Sequence, residues 1–307
     1  MIPDYQTLML PLLRLVNEKR EFSVQECIDS LAKTFNLSEE EFNEWLPSKK
    51  QKIFYNRVYW AKAHLKMAGT LENTKRGFFK ITDRGIKILL DNPVQINVKY
   101  LMSKFSDYSK MIGGFRKDKK EEEPDSVIET DIQISKTPEE LIESGYINIR
   151  NSLEQELLSK LKSVNPYFFE KIVVELLVKM GYGGSIQDAG RAIGKSGDEG
   201  IDGIIKEDKL GLDVIYIQAK RWEGIVGRPE VQKFVGALAG QRAKKGVFIT
   251  TSNFTKEAIQ YALQMDTKIV LIDGEKLSQY MIDYNLGVSV QNIYEIKKID
   301  SDYFEEE

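Results

Sequence analysis

The chain has 307 residues, enough for two cores joined by a linker, and its 42% apolar and 30% charged residues describe a folded protein in water. A single cysteine, Cys27, and a single histidine, His64, exclude an internal disulfide, a Cys/His zinc cage and, unless His64 itself serves, a Ser-His-Asp or Cys-His mechanism; carboxylates with a hard metal remain the simplest catalytic option. No apolar run approaches the roughly 18 residues of a membrane span, and the start MIPDYQTLMLPLL lacks the basic segment and cleavage site of a signal peptide, so a cytoplasmic location is expected.

Tyr5 to Val16 carries Leu8, Leu12, Leu13 and Val16 at helical spacing, and Ser23 is suited to cap a second helix holding Val24, Cys27, Ile28 and Leu31. A third amphipathic helix is expected from about Gln51 to Met67, with Ile53, Tyr55, Val58, Tyr59 and Leu65 available for packing, and Gly69 stops it. The stretch 70-TLENTKRGFFKIT-82 reads as two short strands around a turn at Asn73 to Gly77, and Asp83 to Leu90 returns to helix. Residues 1–92 thus follow the winged-helix order, in which the third helix enters the major groove of DNA and the hairpin forms the wing.

The formal charge of −3 conceals a basic block: from Lys49 to Lys87 there are eleven Lys and Arg against Glu72 and Asp83 alone. Lys52, Arg57, Lys62 and Lys66 on the third helix and Lys75 and Arg76 at the wing tip are therefore candidate phosphate contacts, because neutralising DNA rewards clustered cations. A solvated charged face on a packing domain is the plainer alternative. Between residues 93 and 136 the periodicity weakens, and Gly113, Gly114 and 116-RKDKKEEEPD-125 combine turn formers with blocks of opposite charge, which suggests a linker.

From Thr137 periodicity returns, and residues 137–307 form the second expected domain. Helices are expected from Pro138, over Ser152 to Leu161, and over Tyr167 to Met180. The strand-like runs 201-IDGIIK-206 and 213-DVIYIQAK-220 follow. Then come a helix (Pro229 to Arg242), a strand (246-GVFITTS-252), a helix (Thr255 to Leu263), a strand (268-KIVLID-273) and a helix (Glu275 to Tyr284). Such alternation implies an α/β layer, a mixed sheet flanked by helices.

The first two runs make a geometric claim. A turn centred near Leu210 sets opposite each other residues whose numbers sum to about 420, so Asp202 faces Gln218. Alternation places Tyr216, Gln218 and Lys220 on one strand face and Ile215, Ile217 and Ala219 on the other, so Asp202, Gln218 and Lys220 converge at the rim of the sheet. Hydrolysis of a phosphodiester suits such a group: a hard Mg2+ takes oxygen ligands, activates water and offsets developing charge, while a lysine orients or deprotonates that water. Asp followed sixteen residues later by Gln-x-Lys is weak evidence alone; Gly200 and Gly203 beside the Asp, and an apolar strand ending in polar residues, strengthen it.

The segments 166-PYFFEKIVVELLVKMGYGG-184, 196-SGDEGIDGII-205, 216-YIQAKRW-222 and 249-ITTSNFTKEA-258, in this order, resemble the catalytic domain of the Mrr restriction endonucleases within the PD-(D/E)xK superfamily. The family also carries an N-terminal winged-helix module, so the resemblance spans about residues 1–92 and 137–285. It implies a restriction endonuclease-like catalytic fold in which Asp202 is the central metal-binding carboxylate. Gln218 stands where the superfamily has Asp or Glu and agrees with the Mrr subgroup, and Lys220 is the catalytic lysine. Glu170 matches an acidic residue placed near the metal, or else faces solvent; Asp198 and Gln187 are outer candidates. The implied activity is type IV restriction, the Mg2+-dependent cutting of methylated double-stranded DNA, with Mn2+ as a possible substitute ion. Cutting both strands calls for two active sites and so for a homodimer or larger symmetric assembly. Tyr55, Tyr59, Trp60 and Phe78 could line a cage for a modified base, although such spacings are commonly core. Two rival readings are a DNA-binding regulator with an inactive nuclease fold and a structure-specific repair or recombination nuclease.

Overall fold

The computed structural model describes residues 1–18, 20–114, 136–183, 200–208, 210–300 and 303, in two compact units, Met1–Asn148 and Ile149–Glu307. Residues 116–125 and the candidates Gln187 and Asp198 lie outside the described residues.

The first unit begins with α1 (Tyr5–Leu15), whose free N–H groups are capped by the Asp4 carboxylate. The short strand β1 (Phe22–Ser23) leads into α2 (Val24–Thr34), which Ser23 caps as its sequence suggests. Next come α3 (Glu39–Asn43), α4 (Ile53–Met67), β2 (Leu71–Lys75), β3 (Phe78–Ile81) and α5 (Asp83–Leu90). The strands make an antiparallel sheet in the order β1-β3-β2, with Leu71 opposite Ile81 and Phe22 opposite Phe79. Leu8, Leu12, Leu13, Ile28, Leu31, Phe54, Val58, Leu65 and Phe79 form one buried cluster, each contributing roughly 2 kcal/mol of transfer free energy, and this holds the helix-hairpin arrangement expected for a winged helix.

Three expectations need correction here. Tyr59 does not pack into the core; it is 46% exposed, and Phe54 is buried instead. The segment assigned to a linker contains α6 (Val98–Lys104) and α7 (Ser106–Gly114), which bury Val98, Leu101 and Tyr108 in the first core. Finally, α8 (Pro138–Ser163) is one continuous helix where two were expected. Gly145, its only internal glycine, weakens a helix by about 1 kcal/mol and does not break it. The division between the units falls within α8, because its start is held by α4. Thr137 Oγ1 donates to Asn56 Oδ1 (2.5 Å), Arg57 Nη2 donates to Glu140 Oε1 (2.7 Å), and the Trp60 indole donates to Glu139 (2.6 Å).

In the second unit, α9 (Pro166–Lys179) is followed by β4 (Gly203–Lys206), β5 (Val214–Lys220), α10 (Arg228–Gly240), β6 (Lys245–Thr250), α11 (Lys256–Leu263), β7 (Lys268–Ile272) and α12 (Gly274–Asp283). The sheet runs β4-β5-β6-β7, antiparallel at the first pair and parallel at the others, so it is mixed as expected. Phe169, Val173, Leu176 and Leu177 of α9, with Leu277 and Met281 of α12, cover the face made by Ile205, Ile215, Ile217, Val247 and Ile249. Phe234 and Leu238 of α10 pack with Phe248 and Tyr216 on the other face. Helix and sheet approach so closely there that a Cβ on Gly246 would lie 2.7 Å from Leu238 Cδ1 and 2.9 Å from the Phe234 ring, so only glycine fits.

Candidate active site

The hairpin register meets the expected sum. Gly203 pairs with Ile217, Ile204 with Tyr216, Ile205 with Ile215 and Lys206 with Val214. The ladder continues one residue outward, where the Asp202 N–H donates to Ile217 O at 2.8 Å, so Asp202 lies beside Gln218. Its carboxylate turns over the end of β5, and Oδ2 accepts the Ala219 N–H at 2.8 Å. Burial raises the Asp202 carboxyl above its ordinary range, against the smaller opposing effects of that N–H and of the Lys220 charge. Asp202, Gln218 and Lys220 are thereby brought to one end of the β4–β5 hairpin.

Gln218 does not sit at an open rim. Its side of β5 is covered by α10, and the residue is only 4% exposed. Its amide faces the backbone of Gly200, where a Cβ would come within 3.3 Å of Nε2 and where φ is +106°, a conformation that L side chains rarely adopt. Glycine at this position therefore serves both the turn and the close approach of the amide. Glu170, half-buried on α9, has its carboxyl raised first by burial and then by the Asp202 charge, which puts the two carboxylates within electrostatic reach.

Lys220 ends β5 at the carboxyl edge of the parallel strands, opposite Thr250 of β6. Its Nζ donates to Glu230 Oε2 at 2.8 Å and lies 4.7 Å from the centre of the Trp222 ring. Glu230 also accepts from Lys233 Nζ at 2.8 Å, and the two lysines, Lys220 first, hold its carboxyl below the usual range. Sequence reading missed Glu230 and Trp222 as parts of this cluster. The signal for Glu230 was its place in the first turn of the helix opened by Gly227-Arg228-Pro229, just past Lys220.

Among the described residues, no three of His, Cys, Asp and Glu gather into a metal cage. The hard oxygen donors near this end of the hairpin are the Asp202 carboxylate, the Glu170 carboxylate within its electrostatic reach and the Gln218 amide. Such a short set suits a cation that keeps several of its own waters, as Mg2+ does. The residues fit a divalent ion.

The basic candidates of the first unit separate by helix face. Lys66, Lys75 and Arg76 are exposed, and Lys75 pairs with Glu21 (2.9 Å) while lying 4.5 Å over the Phe78 ring. Lys62 is half-buried 4.5 Å over the Phe79 ring, and burial, then the Lys66 charge, lowers its ammonium from the ordinary value. Lys52, just before α4, donates to Asn43 Oδ1 at 2.7 Å and lies at helical spacing with Tyr55, Tyr59, Lys62 and Lys66, a stripe of which Tyr59 and Lys66 are the exposed members. Arg57 is a correction: it points inward, donating to Glu140 and to the carbonyls of Ile2 and Pro3, so it is committed to packing. Of the suggested cage aromatics, Trp60 likewise faces inward, bonded to Glu139.

A family described as restriction endonuclease matches residues 161–281, and one described as the Mrr N-terminal domain matches residues 5–91. The chain is 35% identical over 306 residues to the type IV methyl-directed restriction enzyme EcoKMrr of Escherichia coli (strain K12), covering 99% of each chain. Among solved structures, the restriction endonuclease MspJI in complex with a 27-mer oligonucleotide is 23% identical, with a TM-score of 0.33 over 45% of this chain and 33% of that one.

Proposed function

The chain belongs to the Mrr family of restriction endonucleases, and from that premise we propose that it hydrolyses methylated double-stranded DNA at the Asp202, Gln218 and Lys220 cluster. The observation that carries this reading is the Asp202 carboxylate, bonded to the Ala219 N–H between Gln218 and Lys220 at the end of the hairpin. Nucleases of this family generally depend on a divalent metal; here we assign Mg2+, with Mn2+ as a working substitute. Asp202 and the Gln218 carbonyl oxygen would hold it, with Glu170 at its side. Bound there, the ion would supply Lewis-acid polarisation and offset negative charge on the phosphate. Lys220, at the strand edge, donates a proton contact that orients the attacking water and stabilises charge developing on the phosphate oxygens. Buried Gln218 and half-buried Asp202 keep bulk water from competing for these contacts.

DNA would be gripped by the outward stripe of α4 and by the wing. Replacing Lys66, Lys75 and Arg76 with Ala is expected to weaken binding on every sequence and to flatten the plot of log affinity against log salt by about 0.9 per lost phosphate contact. A slope unchanged in a fluorescence-anisotropy titration moves the DNA contact elsewhere. Cutting both strands requires two such sites, which supports a homodimer. No described helix is long and apolar enough to cross a membrane.

The test is cleavage of one plasmid in two forms, methylated at adenine and cytosine or unmethylated, with Mg2+ or with EDTA. Cutting of the methylated form alone, and only with Mg2+, is expected. Equal cutting of both forms removes the methyl dependence, preference for branched substrates favours a repair nuclease, and binding without cutting favours a regulator.

A further inference from the structure

A lysine carries about 2 kcal/mol of side-chain rotamer entropy, so one that must meet a phosphate in a fixed geometry gains from being held beforehand. Lys220 is held. Its ammonium donates to Glu230 Oε2 at 2.8 Å, and its other flank rests 4.7 Å from the centre of the Trp222 ring. Both supports are themselves fixed. Glu230 lies in the first turn of α10, which Val231, Phe234 and Leu238 anchor in the interior, and its second oxygen is taken by Lys233. The backbone of Trp222 is clamped on both sides by the Thr251 hydroxyl, which accepts from its N–H at 3.0 Å and donates to its carbonyl at 2.9 Å. The pair is also sheltered, with the Lys220 and Glu230 side chains 24% and 16% exposed.

We propose that Glu230 is the positioning residue for Lys220, holding its ammonium at the carboxyl edge of β5 in the orientation that meets the scissile phosphate. This rests on the reading that Lys220 acts in cleavage. Glu230 itself acts only through the lysine.

The test uses the full chain, the methylated plasmid with Mg2+, and single-turnover rates at saturating protein. Glu230→Gln is expected to lower the saturated rate by about 30-fold, while the half-saturating protein concentration stays within about twofold, because a loss of alignment falls on the rate and not on binding. Glu230→Asp keeps the carboxylate and is expected to cut at least about fivefold faster than Glu230→Gln. An unchanged or increased rate in Glu230→Gln overturns the proposal, as does a loss confined to affinity or a Glu230→Asp variant no faster than the Gln one. Should Glu230→Gln fail to fold, Glu230→Ala takes its place: a lower saturated rate at kept affinity supports the assignment, and a wild-type rate overturns it. Lys220→Ala run alongside separates the two levels. If it cuts at the wild-type rate, the active-site reading falls; if it is inert while Glu230→Gln is fully active, only the role of Glu230 falls.

Discussion

Asp202→Asn is expected to reduce cleavage of methylated plasmid by at least about a thousandfold while leaving affinity for the same DNA within about twofold. The substitution keeps the shape of the side chain and an oxygen that can accept the Ala219 N–H, so the hairpin end, closed by the Asp202 N–H to Ile217 O bond, is preserved. What it removes is the anionic oxygen proposed to hold a hard cation, and the neutral Gln218 amide beside it cannot replace that charge. Lys220→Ala is expected to cost as much for a different reason: the metal donors stay, but the cation facing the phosphate is gone. Binding survives in both variants because the candidate DNA contacts, Lys52, Lys62, Lys66, Lys75 and Arg76, lie on α4 and the wing. The check is a plasmid-cleavage time course paired with anisotropy binding in Ca2+. Cleavage near the wild-type rate in both variants would remove the site.

The second large effect is on stability. His64 is 8% exposed; its Nδ1 shares a hydrogen bond of 2.7 Å with Tyr108 Oη, and its ring stacks on Tyr5 at 5.2 Å. Burial pushes its pKa down to about 4 from an ordinary value of 6.5. Above the unfolded value the ring is neutral in both states and the full stability is present. As pH falls from 6.5 toward 4, the unfolded chain binds a proton that the folded one refuses, so stability is lost across this window and the loss levels off below it. The expected total is roughly 3 kcal/mol. Urea unfolding followed by tryptophan fluorescence reads it, since Trp60 lies 5.9 Å from the imidazole. His64→Gln, which keeps a partner for Tyr108, is expected to flatten the dependence between pH 6.5 and 4. A wild-type slope persisting in that variant assigns the proton uptake to another group.

What was legible in the sequence was local. The β4–β5 register followed from strand length, a short loop and period-two alternation, and these alone place Asp202 against Gln218. Ser23 as a cap, the hairpin of β2 and β3 and the α/β order of the second unit likewise depend on neighbours close in the chain. What escaped reading depends on distant partners. Arg57 looks like any other cation on an amphipathic helix until Glu140, 83 residues later, and the carbonyls of Ile2 and Pro3 claim it. The helices at residues 98–104 and 106–114 are too short to set up a clear helical period of their own, and only the first core gives Val98, Leu101 and Tyr108 something to pack on. Glu230 is ten residues from Lys220, yet their pairing requires β5 to end, the chain to turn and α10 to start on the correct face. The covering of Gln218 by α10 was hidden for the same reason.

The central claim is that Asp202 holds a divalent ion against the DNA backbone, and the most direct measurement is Mn2+ binding by electron paramagnetic resonance. It is made on the Lys220→Ala chain bound to a methylated duplex that this variant leaves intact. Saturable binding that weakens by at least about tenfold when Asp202→Asn is added is the predicted result; equal Mn2+ affinity in the two proteins would contradict it.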